Sequence, residues 1–222
     1  MMIPSPQDLL GQHAIARCLE RSFDGSALEA DLEGFDATWW RKHAGPYHNG
    51  GWESVSLWAP RGDPLEQTSK GGAFAATPAL LKAPSLRAVL DAFPCERNRV
   101  RLMRLNAGGK ILTHSDPLHS IDPDLVRLHV PVVTNPEVHF LVNGRRVVMD
   151  PGETWYVDVR FPHSVENRGD SPRVHLVMDL VRNPDLDDLL HSASVPGTGR
   201  LTGYLIRHSL PGPLRRLLGV GN

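Results

Sequence analysis

The sequence predicts an all-β core, a sandwich, jelly roll or barrel, with helical additions at both ends, and three observations predict it. Between about Arg97 and Arg182, short β-branched runs recur at close intervals with turn residues between them. Asn143-Gly144 lies between two apolar runs, which is the strongest short hairpin signal because both central residues of a type I′ turn take positive φ. Asp150-Pro151-Gly152 and Asn167-Arg168-Gly169-Asp170 mark two further turns. Many short strands punctuated in this way suit an antiparallel sandwich or barrel rather than a βαβ fold.

From Pro6 to about Leu32 the apolar residues Leu9, Leu10, Ile15 and Leu19 recur at helical spacing, so the lead-in is expected to be helical, with a break at Ser22–Ser26 and room for a short helix after it. Between Phe35 and Pro64, Trp39, Trp40, Tyr47 and Trp52 are interleaved with Arg41, Lys42, His43, His48 and Gly50-Gly51, and Trp52–Trp58 alternates as a strand does. Gln67–Thr77 reads as a loop and Pro78–Phe93 as a helix carrying Leu80, Leu81, Leu86, Val89 and Leu90. Strands are then expected near Val100–Leu105, Lys110–Thr113, Val126–Val133, Val138–Val142, Arg145–Met149, Glu153–Val157, His163–Glu166 and Arg173–Leu180. After Asn183-Pro184 the helical pattern returns with Leu186, Leu189 and Leu190, followed by a Gly/Pro-rich tail. The expected organisation is one domain over 1–222: a helical, substrate-side lead-in (1–96), the β core (97–182) and a C-terminal helical extension (183–222).

With 222 residues, 41% of them hydrophobic, the chain is long enough to bury a full core. Its formal net charge of −1 gives no global attraction for nucleic acid or an anionic membrane, so a small-molecule partner is expected instead. Two cysteines, Cys18 and Cys95, are too few for a disulfide framework and form no CxxC pair; they read as reduced thiols of a cytoplasmic protein. No apolar run has the length of a membrane-spanning helix.

The most informative residues are His114-Ser115-Asp116 at one strand end and His163 at another strand start. Residues two apart in extended backbone share a side, so His114 and Asp116 can face one point, with His163 as a third ligand. Two histidines and a carboxylate on one face of a metal are the facial arrangement of non-haem Fe(II) oxygenases; surface or hydrogen-bonded histidines are the plain alternative. Arg173, ten residues beyond His163, cannot lose its charge and needs a carboxylate partner if it points inward, which a dicarboxylate co-substrate on the metal would supply. Arg127 and His129 repeat the pattern on another apolar strand; two inward Arg-x-His strands suggest an anion-binding cavity, and one solvated sheet face is the alternative. Arg101 suits a substrate carboxylate or an exposed strand position equally. Trp39, Trp40, Tyr47, His48 and Trp52 are candidates for a pocket wall or for core packing. Asp158 and Trp155 alternate out of phase and are assigned to structure.

The stretch Arg101–Leu180, notably HSD, VRLHVPVVTNPEVHF and DPGETWYVDVRFPHSVENRGDSPRVHLVMDL, resembles the catalytic core of the aspartyl/asparaginyl β-hydroxylase family, and its RLH, GETWYVD, PHS and PRVHLVMDL segments are similar to those of bacterial hydroxylases of free amino acids. That resemblance implies a double-stranded β-helix (jelly roll, cupin-like) holding Fe(II), with 2-oxoglutarate and O2 as co-substrates. It further implies His114, Asp116 and His163 as iron ligands, Arg173 and His129 as contacts of 2-oxoglutarate, and Arg127, with Arg101, as contacts of a substrate carboxylate. The expected reaction is hydroxylation of an unactivated C–H of a free or lightly modified amino acid, with release of succinate and CO2. A peptidyl or carrier-bound Asp/Asn-type residue is the alternative substrate, and a non-catalytic cupin-like binding module the alternative from another class. Animal peptide hydroxylases of the family lack the metal-binding carboxylate, whereas Asp116 is present here, which favours the small-molecule branch. Oligomeric state is not legible.

Overall fold

The structure, a computed structural model, describes residues 16–67, 72–116 and 124–192. Twelve strands are found among them: β1 (Ala16–Ser22), β2 (Arg41–Lys42), β3 (Trp52–Pro60), β4 (Phe74–Ala76), β5 (Arg97–Leu105), β6 (Lys110–His114), β7 (Leu125–Val133), β8 (Val138–Val142), β9 (Arg145–Val147), β10 (Glu153–Val157), β11 (His163–Asn167) and β12 (Arg173–Val181). Three helices accompany them: α1 (Gly25–Asp31), α2 (Pro84–Asp91) and α3 (Pro184–Ser192). A large sheet runs β1-β10-β7-β12-β5-β3-β2, with β4 paired to β3, and a small one runs β6-β11-β8-β9. Every pairing is antiparallel. The result is the double-stranded β-helix that the sequence leads one to expect.

Period-two alternation sorts the large sheet into two faces. Val100 and Leu102 of β5, Val126 to Val132 at even positions of β7, and Val174, Leu176, Met178 and Leu180 of β12 form one core with Leu86, Val89 and Leu90 of α2. The opposite face meets the small sheet, where Met103, Leu105, Trp155 and Val177 pack against Ile111, Phe140, Val142 and Val165. Both faces of β7 and β12 are therefore covered, which is why these strands read as almost unbroken apolar runs. By the same parity Arg99, Arg101, Arg127, His129, Arg173, His175 and Asp179 all point between the sheets. The charges break the apolar pattern where a polar interior is being built.

The Asn143-Gly144 hairpin is found as expected, with φ of 48° and 75° at its two central residues. The lead-in differs. Ala16–Ser22 is a strand, not a helix, paired with β10 through Cys18 opposite Trp155, and the short helix expected after the break is α1, capped by Asp24. Ile15 and Leu19 continue the helical spacing of Leu9 and Leu10 in the sequence, and pairing with a strand far along the chain overrides it. Pro78–Phe93 splits into a 3-10 turn, Leu80–Lys82, and α2, because Pro84 at the helix start has no N–H to continue the earlier turn. Gln67–Thr77 contains the short strand β4. The large sheet thus draws β1 to β4 from the 1–96 segment expected to be a helical, substrate-side lead-in, with β3 at the strand read from Trp52–Trp58. Helical expectations before Ala16 and beyond Ser192 fall outside the described residues, among which no helix is long and apolar enough to cross a membrane.

Candidate metal centre and anion pockets

Strand register brings the first two chemical residues together: in the β6–β11 pair, His163 lies directly opposite His114. Their rings stand 4.3 Å apart between centroids. Just past the end of β6, the backbone N–H of Asp116 donates to the Val159 carbonyl at 3.0 Å, which turns its carboxylate back toward the pair. One potential ligand atom from each of His114, Asp116 and His163 lies within 4.8 Å of the others, so the three could hold a metal ion. The histidines are prepared for it. Nδ1 of His114 is 2.8 Å from the Leu112 carbonyl and Nδ1 of His163 is 3.0 Å from that of Phe161. A carbonyl only accepts, so each Nδ1 carries its proton and each Nε2 keeps a lone pair for a metal. Burial pushes the Asp116 carboxyl upward, but Arg127, His163 and His114 together outweigh it and hold the pKa below the usual range. It is a carboxylate at neutral pH.

Arg127 reaches Asp116 through one terminal nitrogen and grips Asp179 through Nε and the other, at 2.7 and 3.1 Å. The sequence expectation of a guanidinium open to a substrate carboxylate is not the arrangement found: both carboxylate partners of Arg127 come from the protein. Asp179, fully buried opposite Arg127 in the β7–β12 register, also receives Arg99 at 3.3 Å and stands 3.8 Å from Arg101. Arg101 is 4% exposed, so it is no surface arginine, and its Nε is buried without a hydrogen-bond partner. Burial, with Arg99 beside it, pulls its pKa down to about 9, which leaves it charged at neutral pH.

Farther along β12, Arg173 is 3% exposed and lies over the Phe140 ring at 5.7 Å. It donates to Nδ1 of His175 at 2.8 Å, and its Nε has no acceptor. Burial alone lowers its pKa to about 9, with no carboxylate opposing that shift. Between Arg173 and the triad stands His129, buried, with neither ring nitrogen hydrogen-bonded among the described residues. Burial, then Arg173 and Arg127, push the His129 pKa well below its ordinary value, so the ring is neutral. An oxygen-rich anion extending from the triad toward Arg173 would satisfy both residues.

The aromatic lead-in divides by role. Trp40 is buried in the helix-side core and Trp39 packs against it. Tyr47 stacks over His114 at 5.1 Å and 6°, Trp52 lies 6.5 Å from the same ring, and His43 stacks on Trp52 at 3.6 Å. These three residues wall the mouth of the site. Trp155 faces the inter-sheet core and Asp158 binds Arg160, both structural as expected. Asp179, Arg99 and His43 were not singled out from the sequence. An acid in the apolar β12 motif was the available signal for Asp179, since a carboxylate there must have a buried cationic partner.

The sequence profile of the Aspartyl/Asparaginyl beta-hydroxylase family matches residues 26–183. The chain is 28% identical over 182 residues to L-proline cis-4-hydroxylase of Rhizobium meliloti (strain 1021), an alignment covering 80% of this chain. It spans 65% of that relative's length, just under two thirds. Among solved structures it is similar in fold to the non-heme α-ketoglutarate-dependent carbocyclase SnoK of nogalamycin biosynthesis, with a TM-score of 0.53, 12% identity and 90% of each chain covered. The epimerase SnoN of the same biosynthesis matches with a TM-score of 0.51 and 13% identity, over 85% of this chain and 87% of that one.

Proposed function

This chain belongs to the aspartyl/asparaginyl β-hydroxylase family, and from that premise we propose that it is an Fe(II)- and 2-oxoglutarate-dependent hydroxylase acting on a small carboxylate-bearing substrate, an amino acid or a derivative of one, with release of succinate and CO2. The observation that carries the reading is a pair of unmet demands between the two sheets: three metal-ligand side chains converge, and a buried Arg173 has no carboxylate partner among the described residues. Iron fits a donor set of two imidazoles and a carboxylate, which leaves positions open for other ligands. 2-Oxoglutarate fits the rest, since its distal carboxylate supplies the missing partner of Arg173. When bound, iron and 2-oxoglutarate together with O2 supply the oxidising power for C–H hydroxylation.

The chain's own residues do the positioning. His114 and His163 offer their Nε2 lone pairs, because their Nδ1 protons are engaged by backbone carbonyls. Asp116 offers one carboxylate oxygen while Arg127 holds the other, so Arg127 orients a ligand rather than receiving substrate. Arg173 takes the co-substrate's distal carboxylate, and the neutral His129 donates one N–H beside it. Arg101, beside Asp179 at the other end of β12 from Arg173, receives the substrate carboxylate. Tyr47 and Trp52 screen the reacting carbon from water.

Anaerobic addition of Fe(II) and 2-oxoglutarate tests the reading directly. A weak visible charge-transfer band is expected in the wild type and is expected to vanish in His114→Ala, Asp116→Ala and His163→Ala. In air, succinate release across a panel of amino acids and their derivatives identifies the substrate. A wild type that retains neither iron nor a 2-oxoglutarate-dependent band is a binding module and not this enzyme.

A further inference from the structure

Arg99, Arg101 and Arg127 point between the sheets and converge on one carboxylate, Asp179. Arg127 occupies it with two hydrogen bonds, leaving Arg99 at 3.3 Å and Arg101 at 3.8 Å with partial shares. The acids acting on Arg101 are Asp179 and Asp116. Among the described residues three guanidinium charges face Asp179 and a carboxylate, Asp116, that is shared with the metal centre, so the cluster keeps an excess of positive charge. Both Arg99 and Arg101 also have a buried Nε with no acceptor among the described residues. Uncompensated buried charge and unpaired donors are costly, so the site is built to be completed by a ligand.

The charge and spacing define that ligand. A zwitterionic amino acid brings one carboxylate and an ammonium, and the ammonium would stand among guanidiniums. His43, at the same mouth, is within electrostatic reach of Arg101 and Arg99 and presents a neutral ring, not a counter-charge. The Arg99 and Arg101 guanidiniums lie 3.3 and 3.8 Å from the same Asp179 oxygen, close enough for the two carboxylates of one small diacid to reach both.

We propose that the substrate is a dianion bearing two carboxylates, one on Arg101 and one on Arg99, and that Arg99 is the residue that selects it over a neutral amino acid. The inference rests on the reading of this cavity as the hydroxylase's substrate site. Arg99 is the outer of the two, its side chain 16% exposed against 5% for Arg101, so it meets the end of the substrate nearer solvent.

The test is calorimetric titration of the full chain loaded with redox-inert Zn(II) and saturating 2-oxoglutarate, so that activity is not the readout. The probes are N-acetyl-L-aspartate and N-acetyl-L-glutamate, each against its amide, N-acetyl-L-asparagine and N-acetyl-L-glutamine. At least one diacid should bind roughly ten- to hundredfold tighter than its amide, the worth of one charged contact. Arg99→Gln should collapse that preference to about twofold or less, Arg99→Lys should keep part of it, and raising the salt should erode it in the wild type. Equal binding of acid and amide, no binding of either diacid, or a preference that survives Arg99→Gln overturns the proposal. So does a preference abolished by Arg173→Gln but not by Arg99→Gln, which would place the dianion in the co-substrate pocket. Loss of the Fe(II)/2-oxoglutarate band with the diacid preference intact would sink the hydroxylase reading alone, and the converse would sink only this one.

Discussion

At the scale of single residues, the site is organised by charges that the protein leaves open and one that it closes. Arg173 is left open. Replacing it by Lys keeps a cation but loses the planar fork that a carboxylate matches. The 2-oxoglutarate concentration needed for half-maximal succinate formation should rise about 10- to 150-fold, corresponding to ~1.5–3 kcal/mol; an unchanged requirement in Arg173→Lys and Arg173→Ala would place the distal carboxylate elsewhere. Asp179 is the closed one, and three arginines depend on it. Asp179→Asn should lower the stability of the metal-free protein by about 3–5 kcal/mol in urea unfolding, since removing one partner leaves buried charges uncompensated. A loss below ~1 kcal/mol would mean that water already screens the cluster. The triad was legible in the sequence because its members sit at strand ends with the correct parity. The arginine cluster was not, because Arg99 meets its carboxylate across 80 positions of chain and a basic strand start reads as solvated surface until that partner is known.

At the scale of elements, the turns carry different burdens. Gly144 takes φ +75° at an open hairpin tip, whereas Gly152 takes φ +80° where an added Cβ would collide with the Phe23 carbonyl oxygen. Gly144→Ala should therefore cost only the left-handed backbone penalty, about 1–2 kcal/mol. Gly152→Ala adds a collision with the backbone that joins β1 to α1 through the Phe23 N–H to Gly152 carbonyl bond. It should destabilise clearly more, and equal urea midpoints for the two variants would show that the chain beside Phe23 yields freely. Turn chemistry and alternation made β5 to β12 readable, because both are local signals. β1 escaped that reading because seven residues with a locally helical spacing become a strand only when β10 lies beside them.

At the scale of the whole molecule, a polar interior between two sheets makes stability depend on pH. Burial holds the pKa of His43 down to about 4 and those of His129 and His175 well below their ordinary value. The unfolded chain, with histidines near 6.5, binds more protons than the folded one below that pH. Stability is thus fully present above about pH 6.5 and declines as the pH falls through 6.5 toward 4. The melting temperature of the metal-free protein, followed from pH 7.5 down to roughly 4.5, should drop through that window. A flat profile would mean that these imidazoles accept protons in the fold as easily as outside it.

β6 is the outermost strand of its sheet, joined on one side to β11 and held on the other by the short segment Tyr47–Asn49, through the bridge between Ile111 and His48 and the Leu112 N–H to Tyr47 carbonyl bond. It ends in His114, with Asp116 two residues on, while His163 belongs to its inner neighbour. Any cation gripped by all three therefore works as a clasp, fastening a marginal strip of backbone to the body of the protein. Amide hydrogens at 110–114 should exchange more slowly after loading than before it, so that the centre tightens the strand that bears it, and unchanged exchange would mean that the strand is held fully without the cation.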